Sequence, residues 1–185
     1  VLKRSEDRIN HFNNVIVRAL PEAVRVNAVD AALDPARTTA CMKGLGMRLV
    51  PFWAAQATAG QIGCTCSHAS VWADIAQSPS QQGARAAVVL EDDAVPQSEF
   101  FRGTVQRMMD ELVASRHFSD EEDSVDLCYL YVYPDHWAAP PRQVEQGMFD
   151  EQGGGEAWTQ EGFPTWCLVG YLVSTRGAQR LSELV

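Results

Sequence analysis

Positive charge is scarce in this sequence: Lys and Arg number 15 against 24 Asp and Glu, leaving a formal net charge of -9. Such a chain repels a polyphosphate backbone, which excludes general nucleic-acid binding. Long apolar runs are missing as well. The longest uninterrupted one, Leu127 to Tyr133, is seven residues, far below the roughly 20 that a membrane-spanning helix needs. Glycine (13) and proline (9) are too few, and too scattered, for a collagenous or low-complexity chain. Five cysteines (Cys41, Cys64, Cys66, Cys128 and Cys167) are an odd number, and three lie in apolar or Gly-rich surroundings, which reads as buried, reduced thiols instead of a disulfide framework.

What is present suits one globular unit. The 185 residues compare with about 150 for a typical domain and can bury roughly two-thirds of the unfolded surface without metal or disulfide staples. The chain does not begin with Met and is read as a single domain, 1–185, excised from a longer protein at both ends. Ser5 can cap a first helix that carries Glu6 and Asp7 in its first turn, with Val1 and Leu2 as the stub of a preceding strand. Val24, Val26 and Ala28 alternate with polar residues before Asp30, as in a short strand. Residues 31–59 show weak periodicity, with room for one helix.

From Cys64 onward the pattern sharpens. Val71, Trp72, Ile75 and Ala76 predict a helix starting near Ser67, and Ala86 to Leu90 (AAVVL) a buried strand. Ser98 can cap a long helix striped by Phe101, Val105, Met108 and Leu112. Val125 to Tyr133 and Trp166 to Val173 read as further strands, and Ser174 caps a last helix bearing Ala178 and Leu181. Pro134 to Pro164 is too long for a passive connector and reads as a binding loop. Strands alternating with helices predict an α/β fold of Rossmann-like kind: a mainly parallel open sheet, helices on both faces, and ligands at the carboxyl ends of the strands.

The chemistry concentrates in Leu90-Glu91-Asp92-Asp93. Three adjacent carboxylates at a strand end repel one another unless a cation or donors compensate. In an extended chain Glu91 and Asp93 face one way and Asp92 the other, so the first and third can hold a metal while the middle takes a sugar or ribose hydroxyl. Oxygen-only ligands suit Mg or Mn, which in turn suit a diphosphate leaving group. A solvated acidic turn is the plainer alternative. Arg4 and Arg8, four apart, can clasp phosphate, although pairing with Glu6 and Asp7 would also explain them. Asp30 stands where an acid reaches a ribose hydroxyl in doubly wound folds, or is simply a turn residue. Gly60 to His68 (GQIGCTCSH) joins flexible backbone to a helix start, which can cradle anionic oxygens near Ser67 and His68. Cys64, Cys66 and His68 also raise zinc, but a structural zinc site takes four ligands and no second Cys or His pair follows nearby.

Three blocks in order, Leu2-Lys3-Arg4-Ser5-Glu6-Asp7-Arg8, then Gly60 to His68 with Trp72, then Leu90-Glu91-Asp92-Asp93-Ala94, resemble glycosyltransferase family 25, with Gly170-Tyr171-Leu172-Val173-Ser174 and Gly177-Ala178 as a weaker fourth. Val26 to Ala31 is similar to the family's second strand, and Gln61 departs from a usual Glu. The family includes bacterial lipooligosaccharide and animal procollagen galactosyltransferases. The resemblance implies a GT-A type fold that moves a hexose, typically galactose, from a UDP-sugar to a glycan or hydroxylated-peptide hydroxyl, with inversion and with Mn. Glu91 and Asp93 would then be metal and catalytic residues. Asp92, Arg4, Arg8, Asp30, Ser67 and His68 would lie on the donor side. Bacterial relatives act at the cytoplasmic face and animal ones in the secretory lumen, which leaves the compartment open.

An inverting transfer also needs a base at the acceptor oxygen. Asp150, Glu151, Glu156 and Glu161 are candidates, equally readable as solubilising charges, and Glu161 is the expected base. Trp137, Trp158 and Trp166 can stack on sugar rings. Two alternatives to the transferase are a silent domain that binds carbohydrate or protein, and a nucleotidyltransferase, which would carry glycines that are absent after the first strand.

Overall fold

The computed structural model describes residues 1–3, 5–44, 57–77, 86–96, 101–115, 118, 125–130, 142–143, 158–159 and 169–184. Its first element, α1 (Glu6–His11), has Ser5 at its N-terminus without a side-chain cap. The helix widens into a π turn over Phe12–Ile16, where the Val17 N–H reaches back to the Phe12 carbonyl, and closes with α2 (Val17–Ala19). No strand is assigned at Val1–Leu2 or at Val24–Ala28; two hydrogen bonds, from the Val1 ammonium to the Val26 carbonyl (2.8 Å) and from the Ala28 N–H to the Val1 carbonyl (3.0 Å), are what survives of the expected pair. Alternation over so few residues cannot hold a strand without a ladder partner, and Val24 and Val26 are left exposed.

Helix α3 (Pro35–Gly44) opens with Pro at its first position, and the Arg37 N–H is accepted by Asp34 Oδ1 (2.8 Å). Helix α4 (Ala59–Gln77) begins eight residues before the expected start at Ser67. Its N-terminus is closed by a capping box. The Thr58 N–H donates to Gln61 Oε1 (2.8 Å), and the Gln61 N–H donates to Thr58 Oγ1 (3.3 Å). A Gln serves this box as well as a Glu, so the Gln61 departure is structurally neutral.

Strand β1 (Ala86–Leu90), helix α5 (Phe101–Ala114), β2 (Leu127–Tyr129), the two-residue pair β3 (Arg142–Gln143) and β4 (Trp158–Thr159), then β5 (Gly170–Ser174) and α6 (Thr175–Leu184) follow. The sheet order is β1-β5-β2, with both ladders antiparallel. The described strands therefore do not form the expected mainly parallel, open sheet. The strand–helix–strand run does make β1 and β2 mutually parallel, but the late strand β5 inserts between them in the opposite sense. Alternation of elements in a sequence fixes neither the neighbours nor the sense of a strand, such as β5, that arrives after a long intervening segment.

Helices on both faces are found as expected. Along β5, Tyr171 and Val173 point to one side and pack with Val89, Ala69 and Trp72 of α4 and Ala178 of α6. Leu172 points to the other, against Val105 and Leu112 of α5 with Ala86 and Phe118. The predicted α5 stripe therefore forms that face, with Phe101 and Met108 partly buried beside it. Ser174 caps α6 as predicted, its Oγ accepting the Gly177 N–H (2.8 Å). Gly177 allows the close approach of α6 to β2, because a Cβ there would collide with the Asp126 backbone. Among the described residues, no helix is long and apolar enough to cross a membrane.

Candidate functional site

β1 ends at Leu90, and the Glu91 N–H is still held by the Val169 carbonyl (2.9 Å) before the chain turns, with the Ala94 N–H donating back to Glu91 O (3.1 Å). The acidic trio thus sits on a tight turn at the carboxyl end of a buried strand. Helix α1 docks against that turn. Arg8 Nη1 lies 2.8 Å from Asp92 Oδ1 and 2.8 Å from Asp93 Oδ2, and His11 Nε2 is 2.9 Å from the Ala94 carbonyl oxygen. Arg8 is therefore not spent on Glu6 and Asp7. It supplies the positive charge that neighbouring carboxylates require, and their charge raises the guanidinium's already high pKa, led by the hydrogen bond to Asp93.

Glu91 turns away from its two neighbours toward α4, so Asp92 and Asp93 share a side at Arg8; this corrects the expected pairing of Glu91 with Asp93, which assumed an extended chain where the backbone in fact turns. Glu91 Oε1 lies 3.4 Å from His68 Nε2 and 3.9 Å from Cys64 Sγ. His68 is buried, and its Nδ1 is 2.8 Å from the hydroxyl of Tyr171, which also accepts the Trp72 Nε1–H at 2.9 Å. Burial by itself would lower the imidazole pKa; hydrogen bonds to Cys64 and Glu91, with their charges, more than offset it and raise the ring to about 9. As an imidazolium, His68 donates from Nδ1 to Tyr171 and from Nε2 to Glu91. Burial first, with the nearby Glu91 charge assisting, pushes the Tyr171 phenol upward, so it stays protonated.

Ser67 is interior to α4, not its cap. Its Oγ donates to the Gly63 carbonyl (2.6 Å) and accepts the Val29 N–H (2.9 Å). That bond pins residues 29–31 to α4 at Gly63, where a Cβ would stand 2.5 Å from the Val29 carbonyl oxygen. Asp30 closes the segment, its carbonyl accepting the Leu33 and Asp34 N–H groups. Glu91, Asp92, Asp93, Arg8 and His68 are thus brought together, while Ser67 of α4 ties down Val29, the residue before Asp30. Arg4 and Glu161 lie outside the described residues, as do Asp150, Glu151, Glu156, Trp137 and Trp166.

Sequence reasoning set zinc aside because it sought repeated Cys and His pairs. Cys66 does point elsewhere: it is fully buried, beside Cys41, whose Sγ is 3.7 Å from the Cys66 carbonyl oxygen. The partner of Cys64 and His68 is instead Glu91, and the three ligand atoms lie within 4.8 Å of one another. The helical half of that group, Cys64 and His68 at i and i+4, was visible in the sequence. The strand-end half was not.

Residues 1–185 match the family described as Glycosyltransferase family 25 (LPS biosynthesis protein). The chain is 26% identical to procollagen galactosyltransferase 2 of Homo sapiens over 185 residues, covering 97% of this chain and 26% of that protein. It is 25% identical to procollagen galactosyltransferase 1 of Danio rerio over 187 residues, covering 98% and 27% respectively. It therefore spans about a quarter of the length of these relatives. No solved structure matches it.

Proposed function

This chain belongs to glycosyltransferase family 25; from that premise we propose that it is a glycosyltransferase, transferring a hexose from a UDP-sugar to an acceptor hydroxyl, with inversion, at the end of β1. Galactose is the proposed sugar, in keeping with the names of both relatives. The proposed acceptor is a glycan or a hydroxylated peptide. The observation that carries this reading is the acidic turn after Leu90, faced by the Arg8 guanidinium at 2.8 Å from both Asp92 and Asp93.

The residues fit a divalent cation in kind. Glu91 and Asp93 offer hard oxygen donors with one residue between them, and the Asp93 side chain, 51% exposed, becomes available to an ion when Arg8 releases it and Glu91 swings back from His68. Mn2+ or Mg2+ held by Glu91 and Asp93 would neutralise charge on the departing diphosphate. Arg8, with 42% of its side chain exposed, holds Asp92 and Asp93 while the donor is absent and turns to the diphosphate oxygens when it binds. Asp92, so released, accepts a hydrogen bond from a hydroxyl of the sugar nucleotide. Asp30 takes a ribose hydroxyl, held in place by the Ser67 tie, with Arg4 on the nucleotide side. His68 fixes the Glu91 carboxylate from behind. Glu161 removes the proton of the acceptor hydroxyl as it attacks the anomeric carbon opposite the diphosphate.

Asp93→Ala tests this reading. UDP-galactose hydrolysis and transfer, assayed with Mn2+ and again after chelation, should vanish in the variant and in the chelated wild type while circular dichroism stays native. Undiminished turnover in either case overturns it.

A further inference from the structure

Cys64 adds to His68 and Glu91 a thiol that hexose transfer does not require. We propose that Cys64 Sγ, His68 Nε2 and Glu91 Oε1 form a second, thiolate-containing cation site that takes zinc-class transition metals and, through Glu91, opposes the hard cation of the transferase.

Zinc binds sulfur at about 2.3 Å and imidazole nitrogen or carboxylate oxygen at about 2.0–2.2 Å, so the edges of its tetrahedron are about 3.3–3.8 Å. The nitrogen-to-oxygen edge here is 3.4 Å and the sulfur-to-oxygen edge 3.9 Å, with all three atoms inside 4.8 Å. The nitrogen-to-oxygen edge therefore already fits, the sulfur-to-oxygen edge needs a contraction of roughly tenths of an ångström, and the third edge is no longer than 4.8 Å.

Preorganisation comes next. His68 is buried on α4 with its second nitrogen fixed on the Tyr171 hydroxyl, which Trp72 holds in turn. Such a partner orients a metal-ligating imidazole and directs its free nitrogen at the ion. Cys64 is one helical turn away and exposed, which gives an ion both an entry path and an open fourth position for water. On binding, Cys64 loses its thiol proton and His68 ligates as the neutral ring, Nδ1–H donating to Tyr171.

Donor chemistry then selects the metal. A thiolate and an imidazole favour zinc and cobalt over Mn2+ or Mg2+, which prefer oxygen. Zinc is thus expected to bind more tightly than manganese here and to occupy a carboxylate that the transferase proposed above would use. Only this inhibitory consequence rests on that reading; the site itself does not.

The test uses the full chain, reduced and stripped of metal, titrated with Co2+ and then with Zn2+. Wild-type protein should show sulfur-to-cobalt charge transfer and tetrahedral ligand-field bands at one equivalent, both abolished by zinc. Cys64→Ser should lose the charge-transfer band and about 100-fold or more in zinc affinity, since even groups behind a ligand are worth about 10–100-fold. Cys41→Ser and Cys66→Ser should keep the band. In transfer assays Cys64→Ser should retain Mn2+-supported activity and lose inhibition by zinc. A cobalt spectrum without thiolate bands, or one that survives Cys64→Ser, overturns the site. A thiolate spectrum without any inhibition overturns only the link through Glu91.

Discussion

Replacing Tyr171 by Phe removes one oxygen from the middle of the site and nothing else. That oxygen accepts the Trp72 Nε1–H at 2.9 Å and partners His68 Nδ1 at 2.8 Å, in a place where Tyr171 is fully buried and Trp72 and His68 nearly so. Each buried donor left without an acceptor costs about 1–3 kcal/mol. The Trp72 N–H has no escape, whereas His68 can shed its Nδ1 proton and limit its share. The expected loss is therefore about 2–4 kcal/mol, equivalent to a fall in Tm of roughly 4–16 °C for a chain of this size. Urea unfolding followed by Trp fluorescence reads it directly. Because both defects meet at one oxygen, Tyr171→Phe combined with Trp72→Phe should cost less than the sum of the single changes by about 0.5 kcal/mol or more. A loss under about 0.5 kcal/mol for Tyr171→Phe, or strict additivity in the pair, would refute the claim that this hydroxyl organises the site.

Three further outcomes follow from the same geometry. The His68 ring titrates at about 9 in the folded protein against an ordinary 6.5, so its stabilisation is complete below about pH 6.5 and is lost as pH rises through about 9, up to about 3 kcal/mol in all; His68→Gln should flatten that part of the stability–pH curve measured by urea midpoints. Arg8→Ala removes a partly exposed ion pair and should change stability by no more than about 1 kcal/mol, yet weaken UDP-sugar binding in calorimetry by about 10–100-fold through the lost charge-assisted bonds. Gly63→Ala places a methyl against the Val29 carbonyl oxygen, which is backbone and cannot step aside; unfolding should register a loss of about 1–3 kcal/mol, with weaker donor binding as Asp30 shifts.

Much of this could be read from residue order alone, and the failures have physical causes. The α5 stripe, the Ser174 cap and the apolar strand ending in three acids are local patterns, and each forms where its pattern stands. The start of α4 falls before the expected one because the apolar repeat that reveals the helix begins only at Val71, well after Thr58 and Gln61, although T-x-x-Q is itself a readable cap. Sheet order was lost because β5 reaches its place between β1 and β2 from far along the chain. Arg8 was not legible as the partner of the acids for the same reason: Arg8 and Asp92 are 84 positions apart, and local order offers Arg8 only its neighbours Glu6 and Asp7. Cys64 and His68 were noticed, but the carboxylate that completes their set is delivered by a strand, not by the helix that carries them.

The central claim is that the turn Glu91-Asp92-Asp93 binds a sugar nucleotide with a divalent ion. Calorimetric titration of UDP-galactose, UDP-glucose and UDP, each with and without Mn2+, into wild-type protein and Asp93→Ala tests it most directly. The account predicts nucleotide affinity that depends on Mn2+ in the wild type and disappears in Asp93→Ala. Binding that is indifferent to the metal, or equally strong in the variant, would contradict it.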